Sequence, residues 1–252
     1  AVSCCNRSMK RGFHTHFPRL ALAACLLCFV GPSFGQEVLV EESFDGPAGR
    51  TVEGLATGER AWFASGPDLV LDGDGHVVIE GEGRRSGWMT LLLPEIEPGE
   101  VLRVGVRVRE ATTGTGWIGI GFTRMPGNLF RDNGALAAIL RHPYGTIRKG
   151  AIRLIPGPGT AKNLVQANFS QPPFEAYPRL DLVEMTYDTG SGEWTLSLNG
   201  HRLFRETAAF DGVAENPVPP DYLRYLCIQW QDQIGGSAPN PALLGEVRIE
   251  RP

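Results

Sequence analysis

The chain has 252 residues with 24 basic and 28 acidic side chains, a net charge of −4, so it lacks the positive excess of a general nucleic-acid binder. Four of the basic residues (Arg7, Lys10, Arg11 and Arg19) lie in the first 36 positions, which hold no acid, so the rest carries 20 basic against 28 acidic groups and a net charge of −8. Four of the five cysteines lie there too, and Cys227 alone follows, which excludes an internal disulfide or a cysteine-based zinc site from residues 37–252.

Residues 1–36 read as a secretory signal peptide. A basic stretch is followed by the eleven apolar residues Leu20 to Val30 and by small residues at Ser33 and Gly35, which fits cleavage after Gly35 or one residue later. A membrane span needs roughly 18 or more apolar residues, and a core helix would need a polar face that Leu20 to Val30 does not have. Leu22-Ala23-Ala24-Cys25 is similar to a lipoprotein acylation motif. Only five apolar residues precede Cys25, however, and the apolar run continues after it, so plain cleavage is favoured over lipid anchoring. No later segment is long or apolar enough to span a bilayer. The expectation is a secreted or periplasmic domain over 37–252, with no transmembrane segment in the mature chain, stable through its hydrophobic core.

From Val38 onward the apolar residues recur with period two and are broken at short intervals by Gly, Pro, Asn and Asp, the mark of strands joined by turns. Asp72-Gly73-Asp74-Gly75 separates Val70-Leu71 from Val77-Val78-Ile79 as a hairpin turn. Val101 to Arg109 alternates Leu102, Val104, Val106 and Val108 against Arg103, Gly105, Arg107 and Arg109. Trp117 to Thr123 sets Ile118, Ile120 and Phe122 against Trp117, Gly119, Gly121 and Thr123, and these two segments are expected to pair. Leu136 to Arg141 and Thr146 to Leu154 add strands. Leu182 to Tyr187 and Trp194 to Leu198 form a second hairpin, and Asn199-Gly200 is a type I′ turn into His201 to Glu206. Tyr225 to Gln233 and Leu244 to Glu250 complete the set. The Pro-rich stretches Pro156 to Pro178 and Asn216 to Pro220 read as loops, for binding or merely connecting. About a dozen short strands in one domain favour two stacked sheets over a small barrel.

The order of these pieces carries a family likeness. Glu42-Ser43-Phe44-Asp45, the Trp117 to Phe122 strand, the run from Val183 through Gly192-Glu193-Trp194 to Asn199-Gly200, and Gly245-Glu246-Val247-Arg248-Ile249 together resemble the concanavalin A-like lectin and glucanase superfamily, including laminin G-like domains. The resemblance covers nearly all of 37–252 and implies an all-β, two-sheet antiparallel jelly-roll sandwich. Its glucanases share a cluster of the form Glu-x-Asp-x-Glu on one strand, where alternate carboxylates act as nucleophile and general acid. This sequence has no such triplet. Glu95-Ile96-Glu97, and Asp181 with Glu184, read instead as ordinary solvated acids.

Other catalytic patterns are also missing from the sequence: no nucleophile elbow, zinc-binding His-Glu-x-x-His or phosphate-cradling loop occurs. Of the three histidines beyond residue 36, His201 follows a turn and is expected to be exposed, His76 lies far from the others, and His142 beside Tyr144 is the one to test as an acid or base. Asp72 and Asp74 could offer carboxylates to a structural calcium ion, as loops of laminin G-like domains do, or could simply form the Asp-Gly turn. Otherwise no cofactor is implied. In Tyr225 to Gln233, alternation groups Tyr225, Cys227, Gln229, Gln231 and Gln233 on one face. Amide side chains in a row suit the hydroxyls of a sugar, Trp117 beside Gly119 and Gly121 could stack a pyranose in a shallow trough, and Arg103 and Arg107 could hold an acidic polymer. If these residues share one concave sheet they form a groove for an extracellular polysaccharide; a solvated outer sheet explains the same pattern. Trp62, Trp88 and Trp194 read as core or rim aromatics. Three functions stay open: an exported non-catalytic glycan-binding or surface-interaction domain, a polysaccharide-active enzyme (glycoside hydrolase or lyase, the latter with Tyr144 or His142 as base), and an envelope protein with a protein partner.

Overall fold

Period-two alternation of apolar and polar residues draws the chain into strands that each bury one face. The structure is a computed structural model describing residues 36–66, 68–80, 84–109, 117–129, 134–141, 150–156, 165–169, 179–207, 220–233 and 242–252. In chain order the strands are β1 (Glu37–Glu42), β2 (Ala56–Thr57), β3 (Arg60–Ala64), β4 (Leu69–Leu71) and β5 (Val77–Ile79). There follow β6 (Arg84–Leu92), β7 (Val101–Arg109), β8 (Trp117–Thr123), β9 (Gly134–Arg141), β10 (Gly150–Pro156) and β11 (Val165–Phe169). The last are β12 (Asp181–Asp188), β13 (Glu193–Leu198), β14 (His201–Thr207), β15 (Tyr225–Gln233) and β16 (Leu243–Arg251), with one 3-10 turn at Pro220–Leu223 ahead of β15. No helix among the described residues is long and apolar enough to cross a membrane.

The strands form two antiparallel sheets packed as a jelly-roll sandwich. The first runs β14-β13-β12-β7-β16-β5-β4, with β1 also paired to β16; the second runs β11-β10-β9-β8-β15-β6-β3-β2. The β4–β5 and β12–β13 hairpins stand where the turn residues place them. Asn199 and Gly200 adopt φ of 50° and 78°, the left-handed pair that a type I′ turn requires. Two expectations are corrected. β7 and β8 do not pair: β7 lies between β12 and β16, and β8 between β9 and β15. Each buries one apolar face, and alternation fits facing layers as well as neighbouring strands. The stretch Pro156 to Pro178 is not all loop, since β11 lies within it, paired to β10.

The core fills the space between the layers. Leu102, Val104, Val106 and Val108 of the first sheet and Ile118, Ile120 and Phe122 of the second belong to one buried cluster with Trp62, Trp194 and Trp230. Each indole removes on the order of 200 Å² from water, roughly 5 kcal/mol before the entropy of ordering opposes it. Trp194 meets Tyr187 edge-on at 5.9 Å between centroids, and Trp62 meets Phe44 at 5.6 Å. Phe44 has a φ of 56°, unusual for a bulky residue, and is held there by complete burial and by its N–H donating to the Glu42 carboxylate at 2.8 Å.

Candidate functional site: the two outer faces

The topology separates the residues expected to share a groove. Arg103 and Arg107 stand on β7 in the first sheet, whereas Trp117 stands on β8, and Tyr225, Gln229 and Gln231 stand on β15, in the second. Because both sheets turn their apolar faces to the common core, these two sets of residues belong to opposite outer surfaces. The single groove is thereby corrected, and each surface is a separate candidate.

On the first sheet the charges answer one another. Glu184, Gly105 and Arg248 align in register across β12, β7 and β16, as do Thr186, Arg103 and Glu250. The Arg103 guanidinium donates to Glu184 at 2.5 Å and lies 3.8 Å from Glu250, Arg107 donates to Glu246 at 3.2 Å, and Arg248 donates to Glu250 and, at 3.0 Å, to Glu41. A hollow of about 320 Å³ lies over Gly105, walled by these side chains. Asp181, expected to be solvated, is fully buried. Its carboxylate lies 3.7 Å from the equally buried Arg109 guanidinium and accepts the Asn199 amide at 2.8 Å, while Arg109 also donates to the Arg179 carbonyl. Glu184 is likewise paired rather than solvated, whereas Glu95 and Glu97 are exposed as expected.

The chemistry of the other sheet is different. Asp232 is the one carboxylate in its eight described strands. Its outer surface is crossed by the segment Arg124 to Leu129, which leaves the end of β8 and folds back over β15. The side-chain oxygen of Gln229 accepts the Leu129 N–H at 2.8 Å, and the Cys227 thiol donates to the Gly127 carbonyl at 3.3 Å. Leu129 is buried against Cys227, with Trp88 packed beside them. Gln229, 6% exposed, is therefore a tether for this strap and does not present a free amide to a ligand. The trough expected at Gly119 is filled: a methyl group there would meet the Trp117 ring at 3.3 Å and Leu129 at 3.4 Å. Burial pushes the Cys227 thiol far up from its ordinary pKa, which leaves it inert.

What this surface leaves open is aromatic. Trp88 on β6 and Trp117 on β8 are partly exposed, as is Tyr225, while Phe63 is 42% and Leu92 36% exposed. Trp88 pairs with Gln229, and Gln229 with Gly119, so the three form one row across the sheet. Trp117 is opposite Gln231 in register, and its ring leans back over Gly119 into that row. The side chain of Gln231, and His142 and Tyr144 altogether, lie outside the described residues. Sequence reasoning places Trp88 only as a rim aromatic, although Ser86, Trp88 and Thr90 alternate against Met89 and Leu91. Leu129 gives no signal, because its role depends on a fold-back that local pattern does not encode.

Asp72 and Asp74 sit in the β4–β5 turn. The Asp72 carboxylate accepts the N–H groups of Asp74 at 2.7 Å and His76 at 3.0 Å and meets His76 Nδ1 at 2.8 Å. Burial opposes ionisation, but these hydrogen bonds outweigh it and hold the Asp72 carboxyl below the usual carboxylate range. Calcium takes 6–8 oxygens. Among the described residues no group of three or more His, Cys, Asp or Glu side chains is placed to hold a metal ion. The Asp72 carboxylate closes the turn.

No protein-family model and no curated protein sequence matches the chain. Solved structures do. An endo-1,3-beta-glucanase from Streptomyces sioyaensis aligns over 87% of this chain and 97% of its own at a TM-score of 0.58 and 16% identity. A legume lectin-like domain from Entamoeba histolytica aligns over 75% and 88% at 0.52 and 15%. A beta-1,3-glucanase from Mycobacterium marinum aligns over 84% and 98% at 0.52 and 13%. The likeness is one of fold, and the fold is concanavalin A-like.

Proposed function

We propose that the chain is an exported, non-catalytic domain that binds extracellular glycans through the outer surface of its second sheet. The observation that carries this reading is the pair of partly exposed indoles, Trp88 and Trp117, standing either side of the Gln229 tether. Small-molecule sites are lined by aromatic side chains with few polar groups, and the C–H face of a pyranose packs against an indole as other apolar faces do. The glucanase and lectin folds aligned with this one make a saccharide the natural ligand class to test.

The chemistry of hydrolysis counts against a glycoside hydrolase. Two carboxyl groups must flank the scissile bond, one free to attack or activate water and one to donate a proton. The described strands of the second sheet hold a single carboxylate, and those gathered on the first sheet, Glu184, Glu246 and Glu250, are each engaged by an arginine.

Affinity electrophoresis through gels containing neutral or acidic polysaccharides tests the proposal. Retardation by at least one polymer is expected, with Trp117→Ala weakening binding about tenfold or more while circular dichroism stays unchanged. Unaltered binding by that variant would remove this surface. Release of reducing ends, or of a product with new ultraviolet absorbance, would overturn the non-catalytic reading.

A further inference from the structure

Resting on that reading of the second sheet, we infer that the ligand is an extended β-1,4-linked glycan with a two-fold repeat, held through alternate rings by Trp88 and Trp117. Two features lead there, and the first is spacing. Trp88 belongs to β6 and Trp117 to β8, with β15 between them, and the Trp117 ring leans over Gly119 into the row that contains Trp88. Their attachment lines are thus two strand spacings apart, about 9.5 Å. A two-fold β-1,4-linked chain turns each ring over relative to the one before, so every second ring presents the same face at the repeat of a disaccharide. That repeat is commensurate with two strand spacings. A β-1,3-linked chain winds helically, and its alternate rings turn away from a common plane, so only one indole at a time would find a ring face.

The other is rigidity. Leu129 lies against both Gly119 and the Cys227–Trp88 cluster, and its backbone is fixed by Gln229. It works as a spacer between the indoles, so little side-chain freedom is lost when a ligand lands.

Isothermal titration of the full domain with β-1,4-linked cello- and manno-oligosaccharides and with β-1,3-linked laminari-oligosaccharides tests the inference. The β-1,4 hexamers are expected to bind about tenfold tighter or more than the β-1,3 hexamer. Affinity is expected to rise steeply from disaccharide to trisaccharide, the shortest chain that reaches both indoles. Trp88→Ala and Trp117→Ala are each expected to remove that step, and Trp88→Phe to keep most of it, which separates loss of a platform from loss of the fold. Equal or tighter binding of the β-1,3 hexamer, or a preference for polygalacturonate, would overturn the inference and leave glycan binding standing. Binding of no saccharide at all would overturn both.

Discussion

On the outer surface of the first sheet Arg103, Arg107 and Arg248 each meet a glutamate, whereas the corresponding surface of the second sheet carries indoles, amides and a folded-back strap. By charge the former is the more conspicuous, with Arg103, Arg107 and Arg248 gathered around a hollow. It is also the less available of the two, because the strands that bring those arginines together also bring Glu184, Glu246 and Glu250 within ion-pair distance of them. The latter is plain in sequence and yet leaves large apolar area in water at Trp88, Trp117 and Phe63. Burial is the default for such residues, so their exposure is the informative feature.

The sharpest way to break this contrast lies beneath the first surface. Asp181→Ala leaves the Arg109 guanidinium buried without its carboxylate, and a loss of about 3–5 kcal/mol is expected, seen as a melting midpoint lower by roughly 10 °C. Arg109→Met in the same chain should return much of it; no gain would mean that the pair does not act as a unit. Next in size, Gln229→Met on the second surface deprives the buried Leu129 N–H of its acceptor. A loss of about 1–3 kcal/mol is expected, together with faster amide exchange at Leu129 and weaker glycan binding. Unchanged exchange there would show that the strap does not depend on its tether. The smallest effect belongs to the ion pairs themselves. Arg103 is 43% exposed in its side chain, so Arg103→Ala should cost less than about 1 kcal/mol, and the difference should shrink further in about 0.5 M salt. A large, salt-resistant loss would mean that the first surface is more than a neutralised outer face.

Alternation in sequence is enough to name the faces of β7, β8, β12 and β15, and the turn residues Asp72 to Gly75 and Asn199-Gly200 locate their hairpins, because both are local properties of the backbone. What alternation does not carry is which layer a strand joins. A period of two states that a residue points in or out, not which of two sheets supplies the other wall, and so Arg103 and Trp117 read as neighbours although the core lies between them. Asp181 misleads for a related reason: its partner Arg109 is 72 positions away in the chain and meets it only through the β7–β12 pairing. Gln229 is legible as an outward amide, but its occupation by Leu129 follows from a segment with no regular structure.

The crossing of the chain between layers has a kinetic consequence. Local hairpins can form early, but β7 finds its sheet neighbours only in β12 and β16, and β15 only in β6 and β8, so the central pairings of both sheets are not rewarded until distant segments have met. Such a topology matures slowly. For the exported chain proposed above, that delay would keep the polypeptide unfolded enough to be threaded through a translocation channel.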